Sequence, residues 1–532
     1  MAYALIAGLP PIYGLYAAIV PQLIYALMGT SRQLAVGPVA MDSLLVASGI
    51  SVMAMEGTDA YITFAISLAF FVGALQFFLG AARLGFITNL LSQPVISGFT
   101  SGAAVIIAIN QVKYLTGLDI GRSNKLPKIL GMLGAEINEI NWTTLALGAG
   151  GVVIIMVLKR VSKKIPGSLV AVVAGILCVA AFKLDEAGVA IVREIPEGLP
   201  GFQVPNLSWD LFIRMLPLSG TIAVIAFIEA FSIAKGIEAK KKDHSVKPNQ
   251  ELLAIGTSNI IGSFFMAYPS TGSFSRSAIN YSSGGNTPLA FVFSAIIVGL
   301  ILIFLTPLFY ALPLSVLAAI IMVSVFGLID VRYPSRLWRT NKVEFVLLLA
   351  TFIVTLTVSL ITGIITGVVL SILAFLFKAA YPHVAILGRV KGSKEFRNIN
   401  RFKELEVWQN LLIIRVDAPY AFINIQTIKD RILKEVSTRK GQINHVVVDA
   451  SSVSHIDASA VQGINDLTQS LEEMGVLLVF SSVIGPVRDA LKKNWVLDGS
   501  EGRLFLNTDL AVRSLTGEEV ELHEAHAGQA NV

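Results

Sequence analysis

The chain has 532 residues, of which 54% are drawn from Ala, Val, Ile, Leu, Met, Phe, Trp, Tyr and Cys and only 14% are charged, for a formal net charge of +5. Soluble domains carry about 25% charged residues, so a water-facing surface around the whole chain is excluded. The basic residues fall in short loops between apolar runs rather than on one soluble face, which argues against a nucleic-acid partner.

Many apolar runs approach ~20 residues, the length that crosses a hydrocarbon layer of ~30 Å at 1.5 Å per residue; Tyr61 to Gly80 and Val346 to Leu360 are examples. Lipid-embedded backbone must be helical or closed into a barrel, and these unbroken runs lack a barrel's alternation. The expected class is an α-helical polytopic membrane protein. Spans are predicted near residues 12–28, 38–50, 60–82, 86–110, 142–160, 167–182 and 212–238, and again near 250–267, 274–283, 287–307, 312–329, 344–360 and 362–380. The segments 38–50 and 274–283 are too short to cross. Each follows glycine-containing polar sequence, residues 30–37 and 269–273. Broken helices in corresponding places of two halves point to a transporter's substrate site, although re-entrant helices without a ligand would read the same way.

Basic clusters at Lys159, Arg160, Lys163 and Lys164, at Lys240, Lys241, Lys242 and Lys247, and at Arg332, Arg336, Arg339 and Lys342 alternate with acidic loops around Glu56 and Asp59 and around Asp185, Glu186, Glu194 and Glu197. The positive-inside bias makes the basic loops cytoplasmic. Cys178 is the one cysteine, so an intramolecular disulfide is impossible and no cysteine metal cluster is expected. Met1 opens directly into apolar sequence without a basic leader, so no cleavable signal peptide is predicted.

Beyond Tyr381 the apolar runs shorten to strand length. Leu411 to Val416, His445 to Val448 and Val476 to Ser481 read as buried strands, alternating with helical patterns at Ile425 to Ser437, Ala458 to Met474 and Pro486 to Lys493. That alternation predicts a soluble α/β domain. The expected division is 1–385 in the membrane, 386–517 in the soluble domain and 518–532 as a disordered tail, with Glu518, Glu519, Glu521 and Glu524.

Three motifs carry a family resemblance. The stretch from Met1-Ala2-Tyr3-Ala4 to Pro10-Pro11-Ile12-Tyr13-Gly14-Leu15-Tyr16 resembles the signature of the SulP sulfate permeases, relatives of the solute-carrier-26 anion transporters, as does Tyr268-Pro269-Ser270-Thr271-Gly272-Ser273-Phe274-Ser275-Arg276. The block from Val448-Asp449 to Asp457-Ala458-Ser459 looks like the STAS domain that these permeases carry at their carboxyl end. The resemblance implies fourteen spans in a seven-plus-seven inverted repeat, core and gate domains, and assembly as a homodimer. The family's first span normally runs through an Ile-Pro-Gln-Gly segment just before Met-Ala-Tyr-Ala. The first span is therefore expected to be largely missing, with a start assigned at an internal methionine; the alternative is a natural truncation that does not transport.

The resemblance also makes the third and tenth spans half-helices whose amino ends meet near the midplane, at Gly37-Pro38 and Ser273-Phe274-Ser275. Two such ends offer unpaired N–H groups and about half a positive charge each, which suits an anion. Pro38 fits a first helical position; Gly37 and Gly272 permit close backbone approach. Ser273 and Ser275 either cap the helix or donate to the anion. Arg276 lies at membrane depth, where a guanidinium costs at least ~2.5 kcal/mol. Its fork matches an oxyanion, and the alternative is an ion pair with Glu229 or Asp42. Glu229 is the other ionisable group deep in an apolar run, and no histidine falls in a predicted span, so a proton relay would use Glu229 and Asp42. For Asp42, pairing with a nearby polar group is the competing role.

No GxSxG, HExxH or Walker A sequence occurs, so neither an enzyme nor an ATP-driven pump is expected, nor any cofactor or metal. The expected function is secondary active transport of a small inorganic anion across the plasma or inner membrane, with the STAS domain cytoplasmic. Sulfate:proton symport leads. Sodium-coupled bicarbonate uptake, exchange of chloride or dicarboxylates, and an anion channel or regulatory scaffold are the alternatives.

Overall fold

The structure is a computed structural model that describes residues 1–86, 92–121, 123, 125–161, 165–193, 196–241, 245–439, 441–493 and 503–518. The expected tail from residue 519 onward, and Lys163, Lys164, Glu194 and Lys242 of the charged loops, lie outside the described residues. Two compact units form, Met1–Ser371 and Ile372–Val532.

The first unit is helical. Helices α1 (Ala2–Ile6), α2 (Pro11–Tyr16) and α3 (Val20–Met28) precede a short strand β1 (Ala35–Gly37) and α4 (Ala40–Ile50). Then come α5 (Asp59–Ala81), α6 (Gln93–Thr116), α7 (Leu126–Ala135), α8 (Trp142–Val161), α9 (Gly167–Phe182), α10 (Trp209–Lys241) and α11 (Pro248–Ser263). A second short strand β2 (Thr271–Ser273) leads into α12 (Phe274–Ser282), followed by α13 (Leu289–Phe304), α14 (Leu314–Phe326), α15 (Arg332–Thr340), α16 (Lys342–Thr357) and α17 (Leu360–Ala380), whose residues from Ile372 onward belong to the second unit. Among the described residues, six segments are long and apolar enough to cross a bilayer: 11–28, 59–81, 93–116, 142–161, 209–238 and 360–380.

Proline accounts for two departures from the predicted spans. The segment predicted at 12–28 is two helices, because α3 restarts with Pro21 in its first turn, where a missing N–H is tolerated. Pro94 likewise sits in the first turn of α6, so that helix begins at Gln93 rather than near 86. Helix α15, with Arg332, Arg336 and Arg339, is too polar to register as a span and was not predicted.

Lipid tails are as apolar as leucine, so helices in a membrane are held by close packing rather than by exclusion from water. Helix α11 lies along α5 on that principle. A Cβ added to Gly256 of α11 would stand 2.6 Å from the Phe77 backbone nitrogen and 2.7 Å from the Gly73 carbonyl of α5. No side chain fits there.

The second unit contains β3 (Val384–Val390), β4 (Phe396–Asn398), β5 (Leu405–Glu406), β6 (Leu411–Val416), α18 (Ile425–Thr438), β7 (His445–Asp449), α19 (Ala458–Glu473), β8 (Leu477–Ser481), α20 (Gly485–Lys493), β9 (Leu504–Phe505) and α21 (Thr508–Thr516). The sheet runs β4-β3-β6-β7-β8-β9, with β5 also on β3. β6, β7, β8 and β9 pair in parallel, and β3 is antiparallel to β6. Alternation along the central strands supplies two cores. Leu412, Ile414, Val446 and Val448 meet Ile428 and Ile432 of α18 and Ile464 of α19 on one face; Ile413, Val447 and Val479 meet Ala511 and Val512 of α21 on the other.

The sequence reading missed β3, β4, β5, β9 and α21. Strand β3 hides behind Arg389, whose guanidinium donates to Glu406 (2.7 Å) and to Glu518 (2.7 and 3.1 Å) and stands 5.1 Å from the Trp408 ring centre. Glu518, grouped with the tail by composition, is thereby fastened to the folded unit. The Arg389 hydrogen bonds hold its carboxyl below the ordinary range, against a smaller opposing effect of burial.

The α5–α11 crossing generates a prediction. Gly256→Ala overpacks the contact and is expected to cost about 1–3 kcal/mol, read as a lowered Tm of the detergent-solubilised protein. Gly150→Ala in α8, where an added Cβ meets nothing within 4 Å, leaves the Tm unchanged.

Candidate functional site

Strands β1 and β2 pair antiparallel, Ala35 opposite Ser273, Val36 opposite Gly272 and Gly37 opposite Thr271. Each strand feeds a short helix, α4 after β1 and α12 after β2, so the pairing brings two helix amino ends to one place. The first N–H groups of a helix have no intrahelical acceptor, and the aligned peptide dipoles make that end positive.

Arg276 lies in the first turn of α12 and reaches across to the other half. Its Nη2 donates to the Pro38 carbonyl at 3.0 Å. Among the described residues the buried Nε has no hydrogen-bond partner. Among the described residues no ion pair joins Arg276 to Glu229 or Asp42, so the paired alternative left open by the sequence is not what forms. Gly37 accommodates the guanidinium: its φ is 153°, and an added Cβ would lie 3.0 Å from Arg276 Nη2. Gly272 packs equally tightly, its would-be Cβ 3.0 Å from the Ala230 backbone of α10.

Pro38 does not open the helix, as its residue type suggested. Val39 is the N-cap and α4 begins at Ala40, so Pro38 contributes its carbonyl rather than a missing N–H. Ser273 is the N-cap of α12, and its Oγ accepts the Arg276 N–H at 3.5 Å and lies 3.5 Å from Ser275 Oγ. Capping is realised at Ser273 with long contacts, while Ser275 is exposed.

Phe274 and Glu229 line a cavity of about 220 Å³ together with Met41, Phe99, Thr100 and Ser232. That is room for a small anion and several waters, each water claiming about 30 Å³. The remaining wall is mostly aliphatic, so charges inside it act through a low dielectric. Among the described residues Glu229 Oε2 has no hydrogen-bond partner. Asp42, in the first turn of α4, is fully buried, and among the same residues neither of its oxygens is bonded. The two carboxyls are near enough for their charges to interact.

Several residues at the site escaped the sequence reading. Tyr3 of α1 lies within electrostatic reach of Arg276 and Glu229. The Tyr268 hydroxyl lies 3.2 Å from Ser43 Oγ of α4. Both tyrosines stand inside the quoted motifs, which was the available signal. Helix α11 anchors the approach to each strand. Ahead of β1, the buried Glu251 carboxylate accepts from Tyr25 Oη (2.7 Å), Thr30 N (2.7 Å) and Ser31 N (3.2 Å). Ahead of β2, Asn259 accepts from Ser270 N at 2.8 Å and donates to Ser270 O at 3.0 Å. Thr271 Oγ1 donates to the Ala226 carbonyl of α10 at 2.7 Å, and Ala35 N donates to Ser277 Oγ at 2.9 Å.

Chemically the strand junction gathers donors, a guanidinium, hydroxyls and two helix amino ends, next to a cavity that Phe274 of α12 lines but Arg276 does not. That combination suits a small oxyanion. No group of three or more His, Cys, Asp or Glu among the described residues is arranged to hold a metal.

Removing an anchor should show first in stability. Asn259→Ala strands the buried Ser270 N–H and carbonyl, a loss of about 1–3 kcal/mol, and is expected to lower the Tm while the helical circular dichroism at ambient temperature is retained.

The sulfate permease family matches residues 1–351 and the STAS domain residues 402–511. Among curated relatives, the chain is 39% identical to "Sulfate transporter 4.1, chloroplastic" of Arabidopsis thaliana, over 91% of this chain and 72% of that one. It is 32% identical to a probable sulfate transporter of Mycobacterium tuberculosis, over 97% of this chain and 92% of the relative. Among solved structures, the fold matches murine Slc26a9, an anion transporter captured in an inward-facing state, with a TM-score of 0.90 at 23% identity, over 97% of this chain and 88% of that one. It also matches the transmembrane domain of the cyanobacterial bicarbonate transporter BicA, with a TM-score of 0.60 at 22% identity, over 69% of this chain and 92% of that one.

Proposed function

The chain belongs to the sulfate permease family, and from that premise we propose that it takes up sulfate with a co-transported proton through the junction of β1 and β2. The observation that carries this reading is the convergence of two helix amino ends on a guanidinium that, among the described residues, pairs with no carboxylate. The relatives named as sulfate transporters support the choice of anion. In this reading Gly37, Pro38, Ser273, Phe274, Ser275 and Arg276 form the substrate site.

Moving a dianion inward against ~100 mV costs roughly 4.6 kcal/mol before any concentration gradient, at about 2.3 kcal/mol per charge. A co-ion must offset that. Glu229 carries the proton, with Asp42 next to it as the second carboxyl. An anion drawn into the cavity favours a proton on Glu229, since protonation removes the like charge beside it. By linkage the bound proton favours the anion to the same degree.

The membrane part, 1–385, and the STAS domain, 386–517, work in a homodimer. The basic loops and the STAS domain face the cytoplasm of a plasma or inner membrane; location in a chloroplast, as in the name of one relative, would place them in the stroma. The STAS domain acts through contacts rather than phosphorylation. Asp457 caps α19, accepting from Ala460 N and Phe422 N at 2.8 Å each, and Ala458 stands where sigma-factor-regulating relatives of the domain carry a phosphorylatable serine. Mass spectrometry of the native protein is expected to find Ser459 unmodified; stoichiometric phosphate there contradicts this.

The deciding experiment is labelled-sulfate uptake into proteoliposomes under imposed gradients. An inward proton gradient should drive accumulation in the wild type. Glu229→Gln should retain sulfate exchange and lose the response to protons. Arg276→Ala should weaken sulfate binding by about 10- to 100-fold, the equivalent of one charge-assisted bond of about 1.5–3 kcal/mol. Accumulation driven by sodium instead, or faster flux of bicarbonate or dicarboxylates, would replace the proton or the sulfate in this account. Flux that never becomes concentrative would point to a channel.

A further inference from the structure

The second unit holds a basic concavity of about 370 Å³ that transport does not use. Arg397 reaches it from β4, Arg401 and Phe402 from the turn after β4, Arg415 from β6, and His383 from the segment before β3. Three guanidiniums therefore face one carboxylate, Asp417.

That carboxylate is already occupied. Asp417 Oδ1 accepts from Arg415 Nε at 2.7 Å, and Oδ2 lies 2.9 Å from His383 Nδ1. Burial pushes the Asp417 carboxyl up, but the bonds from Arg415 and His383 outweigh it and hold the group below its ordinary range, as a charged anchor. Arg415 is thus oriented through Nε, and among the described residues its two Nη nitrogens make no hydrogen bond. The side chain of Arg401 makes neither a hydrogen bond nor an ion pair among the described residues. Arg397 gives one Nη to Glu395 at 2.7 Å and stands 6.0 Å from the half-exposed Phe402 ring. The concavity keeps unmatched planar forks, the donor geometry that receives phosphate oxygens in pairs.

Position narrows the source. The apolar helix α17 ends at Ala380, and Asn424 Nδ2 of the soluble domain donates to the Ala379 carbonyl at 3.1 Å. His383 follows three residues later, no farther than about 10 Å of chain from the helix end. The concavity is therefore built on residues that begin within about 10 Å of chain of the end of an apolar helix, and anionic headgroups attract arginines so placed.

We propose that the concavity of Arg397, Arg401 and Arg415 binds a phosphate ester, supplied by the headgroup of an anionic phospholipid of the surrounding membrane. The test needs no transport. The full chain is placed in nanodiscs of phosphatidylcholine, with or without added phosphatidylglycerol, and amide exchange is followed over residues 396–402. Phosphatidylglycerol is expected to slow that exchange several-fold, and the doubly substituted Arg401→Gln, Arg415→Gln protein to lose the effect. Arg401→Gln alone should weaken it with an unchanged Tm, since that side chain supports no contact. Inorganic pyrophosphate added to pure phosphatidylcholine discs is the second arm. Protection by pyrophosphate without protection by phosphatidylglycerol keeps the phosphate site and assigns it a soluble ester. Exchange that responds to neither probe, or protection undiminished in the double variant, overturns the proposal.

Discussion

Three residue pairs between β1 and β2 join stretches of chain that the sequence keeps far apart: Arg276 Nη2 and the Pro38 carbonyl they align are 238 positions distant. A two-stranded ribbon this short is not stable by itself. In a bilayer it is a liability as well, because non-helical backbone at membrane depth must have every polar group satisfied by protein. The junction persists because surrounding helices satisfy it. Helix α11 supplies Glu251 to the approach of β1 and Asn259 to the approach of β2; α10 supplies the Ala226 carbonyl to Thr271; α12 supplies Ser277 to Ala35.

The close seat of α11 follows from this. The helix that holds both strand approaches must itself be fixed, and its glycine-to-backbone contact with α5 does so without a hydrophobic driving force. Gln76 of α5 joins the same system, accepting from Asn259 at 3.2 Å and donating to the Ala223 carbonyl of α10 at 3.1 Å. The strand junction, α5, α10 and α11 are consequently one hydrogen-bonded body. Among the described residues Arg276 Nε, both Asp42 oxygens and Glu229 Oε2 are left without hydrogen-bond partners; in the proposed function they mark the place of the anion and the proton.

The helical class and the soluble α/β domain were legible because both follow from run length: ~20 apolar residues for a span, five or six for a buried strand. The two half-helices were legible from their shortness and the glycine-bearing sequence ahead of them. Resemblance named the residues around them. What could not be read is whatever depends on distant pairing. Glu251 looks like an acid at the edge of the predicted span 250–267, beside a basic cluster, yet it is buried and bonded to a segment some 220 positions away. Asn259 looks like one polar residue in an apolar helix. Pro38 was assigned to the helix by type, whereas its place is decided by Val39 extending the strand geometry one residue further. In the soluble domain, β5 and β9 are two residues long, too short for alternation to register.

In the proposed function the two helix ends and Arg276 together form an oxyanion site. Selenate has the shape and charge of sulfate and scatters X-rays anomalously, so crystals of the protein soaked in selenate locate the anion without reference to transport. An anomalous peak is expected within hydrogen-bonding distance of Arg276 and Ser275, between the first turns of α4 and α12, and is expected to disappear in Arg276→Ala. A fully occupied selenate elsewhere in the membrane unit, with the β1–β2 junction empty, would contradict it.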